Sequence, residues 1–240
     1  MAKRAICISM INNMPFIQTA FFESVVPLIF ETSKTAQLLW MNVKTHPVDF
    51  ARNWAVNQFL NVEKYKTVEW LAFLDIDMTF PAQTLNMLMD AAEKHNVKCV
   101  SGVYFKKNDL NEAVAWKYDD RNNLIDPVID GSIQEVSIIG MGCVIMHREL
   151  LEKVKYPWFK YGPLHEDLTS LATEDIQFCM RCAELKESIL AHTGVICGHL
   201  MTAENIRGRI KVVDITDVPL EGTVGRPGTV RPAPLSEITT

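Results

Sequence analysis

The chain has 240 residues, of which 48% are hydrophobic and 22% charged, with a formal net charge of −5 at pH 7. That is ordinary globular material, enough to fill one large core as one domain plus a tail, with two small domains also allowed. No basic stripe accompanies the negative balance, which argues against non-specific nucleic-acid binding as the main activity and against polyanionic partners.

Arg4 to Met10 reads as a first buried strand. After the polar break Ile11 to Pro15, the stretch Phe16 to Val26 has helical spacing, with Ile17, Phe21 and Val25 on one side and Pro27 as a kink or stop. Strand, loop and helix in this order open an α/β unit. Gln37 to Val43 is a second strand, and Asp49 caps a helix to Leu60 that carries Ala51, Ala55, Val56 and Phe59 at helical spacing. The apolar run Trp70 to Leu74 is a buried strand that surfaces carrying Asp75 and Asp77. In an extended chain those two positions point the same way about 6.6 Å apart, so two ionised aspartates repel by roughly 2.5 kcal/mol at an effective dielectric of about 20. A divalent cation reverses that cost.

Thr79, Phe80 and Pro81 start another helix, with Leu85, Leu88, Met89 and Ala92 as its apolar stripe, and Lys98 to Phe105 is again a strand. Alternating elements to this point predict a largely parallel sheet with helices on both faces. From Ala113 to Met146 the rhythm changes to strands separated by turns at Asp119 to Asn123 and at Asp130 and Gly131, so this half is mixed or antiparallel. A helix from His147 to Lys155 and a loop containing Pro157, Trp158 and Phe159 follow. Ser170 or Thr173 caps the next helix, with Glu174 and Asp175 in its first turn and Ile176, Phe178, Cys179, Cys182 and Leu185 mainly internal. Ser188 to Cys197 is the last strand and leads to Gly198 and His199. Beyond Val213 there is no periodicity, and Glu221 to Thr240 reads as a poorly ordered tail or lid.

The six cysteines sit mostly inside apolar runs and read as buried thiols of a reducing, cytoplasmic compartment; Cys179 and Cys182 form a CxxC without the second pair a zinc site needs. No apolar segment reaches the roughly 18 residues of a membrane span, so the protein is expected to be soluble. Oligomerisation is left open.

Several stretches together resemble a known family. ARNWAV at 51–56, the strand and DxD at 71–77, PAQTL at 81–85, SGVYFKK at 101–107, GMGCVIMHRELLEKV at 140–154, PWF at 157–159, EDIQFCMRC at 174–182 and CGHL at 197–200 occur in an order similar to that of GT-A-fold glycosyltransferases. The likeness is greatest to small family-two-like enzymes of bacteria and their phages, and it spans nearly 150 residues. DxD alone is a weak sign; DxD followed at this separation by Glu-Asp and Gly-His is more specific. The resemblance implies an α/β, mostly parallel GT-A sheet flanked by helices. It implies a catalytic domain over 1–212, with a nucleotide-binding half to about 105 and an acceptor-binding half beyond it, and a tail or lid at 213–240. The implied activity is transfer of a sugar from a nucleotide-diphospho-sugar, a UDP- or GDP-sugar first among them, to a glycan or other hydroxyl acceptor.

The chemistry of the leaving group adds an independent argument. A departing nucleoside diphosphate needs its charge neutralised, yet the chain has no Walker-type loop, and Gly140-Met141-Gly142 lacks the third glycine of a dinucleotide fingerprint. Mn²⁺ or Mg²⁺ is the remaining solution, since both take oxygen ligands, bridge phosphates and act as Lewis acids, and Mn²⁺ tolerates an imidazole. Asp77 and His199 would be the protein ligands. By the resemblance Asp77 binds the metal directly, while Asp75 reaches the ribose or a metal-bound water; a solvent-facing strand end and a structural histidine are the plainer readings. In inverting relatives a carboxylate of the matching Glu-Asp pair takes the acceptor's proton, with Asp175 the first choice here and Glu174 the second. In a retaining enzyme the pair would bind hydroxyls, and both residues also suit a helix N-terminus on charge alone.

Arg52 and Asn53 match the family's ARN and would contact the nucleotide, a surface arginine being the other reading. Gly140 and Gly142 either let backbone amides approach the donor sugar or relieve crowding in a strand. Trp158 and Phe159 are a sugar platform or core plugs. Arg207, Arg209 and Lys211 close over the diphosphate or form a solvated basic run. The competing functions are a nucleotidyltransferase, whose glycine- and lysine-containing loop after the first strand is not matched by INNMPF at 11–16, and a non-catalytic sugar-nucleotide or glycan-binding protein.

Overall fold

The computed structural model describes residues 4–11, 17–44, 47–106, 112–119, 121, 123–163, 171–204 and 210–213. Residues 214–240 of the expected tail, Ser170, Arg207, Arg209 and positions 12–16 of the first loop lie outside them.

The first half runs β1 (Arg4–Ile11), α1 (Thr19–Thr35), β2 (Ala36–Val43), α2 (Val48–Asn61), β3 (Trp70–Leu74), β4 (Met78–Thr79), α3 (Thr84–His95) and β5 (Cys99–Val103). It continues with β6 (Ala115–Tyr118), β7 (Leu124–Ile125), β8 (Ile133–Val136), β9 (Ile138–Ile139), β10 (Cys143–His147) and α4 (Arg148–Val154). The last elements are β11 (Gly162–Pro163), β12 (Leu171–Ala172), α5 (Glu174–Glu184), β13 (Ile189–Ile196), β14 (Gly198–His199), β15 (Met201–Glu204) and β16 (Ile210–Val213).

Seven strands form the central sheet in the order β2-β1-β3-β10-β5-β13-β8. β2, β1, β3, β5 and β13 run the same way; β10 lies antiparallel between β3 and β5, and β8 is antiparallel on the edge beside β13. The expected parallel first half and mixed second half are therefore interleaved in one sheet.

Strand periodicity of two builds the layers. Ile6, Ile8 and Met10 of β1 and Trp70, Ala72 and Leu74 of β3 bury with Phe21, Val25 and Leu28 of α1 and Leu85, Leu88 and Met89 of α3. Ala5, Cys7, Leu71 and Phe73 point the other way, onto Ala55 and Phe59 of α2, Leu150 and Leu151 of α4 and Phe178 and Cys182 of α5. Both faces of β1 and β3 are thus dry, which is why these strands read as unbroken apolar runs.

Several boundaries differ from the expectation. Pro27 does not stop α1, which continues eight residues past it. The ring costs about 3 kcal/mol, but Leu28 and Thr32 beyond it are fully buried. Burying Leu28 alone contributes about 2 kcal/mol, and the Thr32 hydroxyl donates to the Leu28 carbonyl at 2.7 Å. Ile17 precedes the helix and is exposed instead of packed. Asp49 lies in the first turn of α2 and Pro47 occupies the cap position. Pro81 accepts a turn hydrogen bond from Thr84 and α3 begins only there, ending at Asn96 in the left-handed conformation that asparagine tolerates. Ser188 to Cys197 is not the last strand, because β14, β15 and β16 follow it.

All six cysteines are free and buried. Burial pushes the Cys7 and Cys182 thiols up to about 12, so the thiolate that reacts is scarce at neutral pH. Native protein at pH 8 is expected to leave all six unmodified by a thiol-specific disulfide reagent over an hour, and to release six equivalents at once in denaturant. No helix among the described residues is long and apolar enough to cross a membrane.

Candidate functional site

The strand β3 ends at Leu74 and the chain turns at Asp75-Ile76-Asp77, so the extended geometry expected for the two aspartates is not adopted. Ile76 is buried, and two backbone bonds grip the turn: Asp75 N–H donates to the Gly142 carbonyl at 2.9 Å and Leu200 N–H to the Asp77 carbonyl at 2.7 Å. The two carboxylates therefore acquire different partners. Asp75 faces Arg52 at 3.4 Å and Asp77 faces the His199 imidazole at 3.7 Å.

His199 arrives through the short antiparallel pair β4–β14, in which it lies opposite Met78, one residue from Asp77. Its Nδ1 is 2.9 Å from the Phe105 carbonyl. A carbonyl only accepts, so Nδ1 carries the proton and, in the neutral ring, Nε2 presents its lone pair towards Asp77. This backbone-oriented imidazole is the usual preparation of a metal-ligating histidine.

Two ligands of one Mn²⁺ or Mg²⁺, each about 2.1 Å from the ion and subtending about 90° to 120°, lie roughly 3.0 to 3.6 Å apart. The Oδ2 to Nε2 separation of 3.7 Å lies just past the upper end of that range. Among the described residues no three His, Cys, Asp or Glu side chains converge on one point. The donor set is thus one carboxylate and one imidazole, suited to an ion that keeps water or phosphate oxygens as its other ligands.

Arg52 is not a surface residue: it is 5% exposed, on α2, and its guanidinium ion-pairs with Glu174 of α5 through Nη1 and Asp75 through Nη2. Burial works against its charge, but Asp75, Glu174 and Asp175 outweigh that and hold the guanidinium more firmly protonated than usual. Its Nε–H is buried without a partner among the described residues. Burial pushes the Asp75 carboxyl up to about 6 against the lowering pull of Arg52, with the Asp77 charge adding to the rise and His199 offsetting it.

Asn53 is spent on backbone: its amide donates to the Phe159 carbonyl at 2.5 Å and accepts from the Phe159 N–H at 3.1 Å. That clamp carries the loop of Trp158 and Phe159 into the core. Phe159 is fully buried and stacked on Phe178 with ring centroids 4.9 Å apart, and Trp158 donates to the Leu151 carbonyl at 2.7 Å. Both are core plugs and not a sugar platform.

At the start of α5, Glu174 is buried while Asp175 is half-buried. Thr173 holds the cap position, but its hydroxyl bonds the Asp175 carboxylate instead of the helix backbone. Asp175 also accepts from the Ile176 N–H at 2.8 Å. Both bonds use Oδ1, and Oδ2 accepts none among the described residues.

Gly140 and Gly142 make room for Tyr104, which the sequence marks only as part of an apolar run. A methyl group at either position would overlap the Tyr104 hydroxyl or the Met78 sulfur. Tyr104 is buried, its hydroxyl accepts from the Gly142 N–H at 3.2 Å, and its ring meets His199 edge-on at 5.3 Å. Crowding is therefore the observed reason for both glycines. Tyr161 belongs to no motif in the sequence: it is exposed, and its hydroxyl sits by Glu174 and near the charges of Asp49 and Arg52. Its aromatic character, two residues after Phe159, was the only available signal. Lys211 lies in β16; its companions Arg207 and Arg209 are outside the described residues.

The sequence matches no family model and no curated protein. Among solved structures the chain is similar to A197 from STIV, with 18% identity over 87% of this chain and 93% of that one, at a TM-score of 0.56. It also aligns with a structure of GalNAc-T7 with UDP, GalNAc and Mn²⁺, at 10% identity and a TM-score of 0.48, over 82% of this chain and 44% of that one. The fold is of the GT-A type, a mostly parallel mixed sheet flanked by helices.

Proposed function

We propose that the protein is a metal-dependent glycosyltransferase that moves a sugar from a nucleotide-diphospho-sugar, a UDP- or GDP-sugar, to a hydroxyl acceptor. The observation that carries this reading is the approach of His199 Nε2 to the Asp77 carboxylate across β4–β14, with Nδ1 fixed by Phe105. Asp77 and His199 hold Mn²⁺ or Mg²⁺, and Asp75 serves the donor's ribose or a metal-bound water. When bound, the ion supplies Lewis-acid neutralisation of the departing diphosphate.

The remaining roles fall to the chain. Glu174 is buried and engaged as the counter-ion of Arg52. Asp175 keeps one oxygen without a hydrogen bond among the described residues and is the base. It takes the acceptor hydroxyl's proton as that oxygen bonds to the anomeric carbon and the bond from carbon to the diphosphate oxygen breaks. This assignment makes the enzyme inverting. Six buried thiols favour a reducing compartment.

Thermal-shift measurements over UDP-, GDP-, CDP- and dTDP-sugars, each with and without Mn²⁺, test the reading. A donor at 100 times its dissociation constant stabilises by about 2.7 kcal/mol, and that gain is expected only when the ion is present. A best donor that binds equally well without metal overturns the reading. With the best donor, Asp175→Asn is expected to lower kcat by about a thousandfold while the metal-dependent thermal shift persists. An unchanged kcat would leave Asp175 as a favourable charge in the first turn of α5.

A further inference from the structure

We infer that Tyr161 is the stacking face of an acceptor subsite for a neutral pyranose, set between the first turns of α2 and α5; this rests on the transferase reading above and adds the acceptor's chemical class to it. Three of its chain neighbours are tied down. Trp158 is anchored on the Leu151 carbonyl, Phe159 is clamped through both backbone groups by Asn53, and Pro163 accepts from the Gln177 amide at 2.8 Å. Gly162 packs directly against that same Gln177 side chain. Within this pinned segment Trp158 and Phe159 are buried, whereas Tyr161 is 51% exposed. An aromatic ring held by its backbone on both sides and left in solvent offers a flat apolar face at little further cost in conformational entropy.

The polar surroundings select the ligand. The charged side chains acting on the Tyr161 hydroxyl are Glu174, Asp49 and Arg52. The one cation among these three is already paired with both Glu174 and Asp75, so this trio offers an anionic acceptor no unspent positive partner. Hydroxyl groups do: carboxylates accept their hydrogen bonds, and the Asp49 Oδ1 is buried without a partner among the described residues. A ring with an apolar face and a rim of hydroxyls satisfies both demands. Asp175, next to Glu174, then stands beside the acceptor's rim, where a proton must be taken.

The test uses the full chain and methyl glucopyranoside, galactopyranoside and mannopyranoside as probes in saturation-transfer NMR, with a prenyl monophosphate as the anionic comparison. The ring protons of at least one pyranoside are expected to take up saturation from the wild-type protein. That transfer should fall about fivefold or more in Tyr161→Ala, and should hold within about twofold in Tyr161→Phe and Tyr161→Trp. Tyr161→Leu, apolar but without a ring face, replaces the alanine variant if the latter fails to fold, and should behave like it. With a donor that turns over, the acceptor KM of Tyr161→Ala should rise about tenfold while the donor KM moves less than about twofold. Equal saturation in wild type and Tyr161→Ala overturns the subsite, as does no pyranoside signal in the wild type or a stronger signal from the prenyl phosphate. Loss of pyranoside saturation in Tyr161→Ala without turnover of any nucleotide sugar keeps the subsite and sinks the transferase. Metal-dependent turnover with an unchanged acceptor KM does the reverse.

Discussion

Replacing Arg52 by methionine is expected to lower the free energy of unfolding by about 3–5 kcal/mol, read from urea denaturation. The side chain bridges α2, the turn after β3 and the first residue of α5, and Glu174 at its far end is only 7% exposed. Methionine fills a similar volume but leaves that carboxylate buried without a counter-charge, which is the costly way to break a buried pair. Two companions separate charge from packing. Arg52→Lys keeps the charge but lacks the fork that reaches two carboxylates at once, so it should recover only part of the loss. Adding Glu174→Gln to Arg52→Met should restore stability relative to the single variant, because it removes the uncompensated charge. Additive losses in the double variant would mean that the contact contributes nothing as an ion pair.

The second large effect is on the ion. Disturbing a side chain that only supports a metal ligand typically weakens binding by 10- to 100-fold, so loss of a direct ligand from a pair should weaken Mn²⁺ binding by about a hundredfold or more. Asp77→Ala and His199→Ala are each expected to show this when free Mn²⁺ is titrated by electron paramagnetic resonance with the nucleotide sugar present. Turnover at subsaturating Mn²⁺ should fall in the same proportion. Asp75→Asn is expected to weaken Mn²⁺ less, because Asp75 faces Arg52 while Asp77 faces the imidazole. Wild-type affinity in both Asp77→Ala and His199→Ala would remove the metal from this site altogether.

How much of this could be read in the chain follows from the range of each interaction. β1, β3 and β5 stand out because both faces of each strand are buried, and Asp75, Asp77 and His199 stand out as ionisable residues at the ends of apolar runs. The meeting of Arg52 with Glu174 spans 122 positions and leaves no periodic trace, so a buried arginine and a surface one look alike in sequence. Local rules also lost to tertiary packing at Pro27, where the buried face of α1 continues beyond the ring. Trp158 and Phe159 are ambiguous in sequence because an aromatic loop residue reads the same inward or outward; the Asn53 clamp on Phe159 and the Leu151 carbonyl that anchors Trp158 distinguish them from Tyr161. The glycines at 140 and 142 were legible as glycines, but not the tyrosine they make room for.

The placement of β10 between β3 and β5 has a consequence for the order in which the molecule can assemble. The strand that joins those two is supplied by residues 143–147, so a nascent chain that has emerged only through β5 carries two unsatisfied edges in the middle of its future sheet. Such edges are templates for mispairing. The segment through β5 is therefore no self-sufficient folding unit, and the central seam closes only after residues 143–147 have left the ribosome.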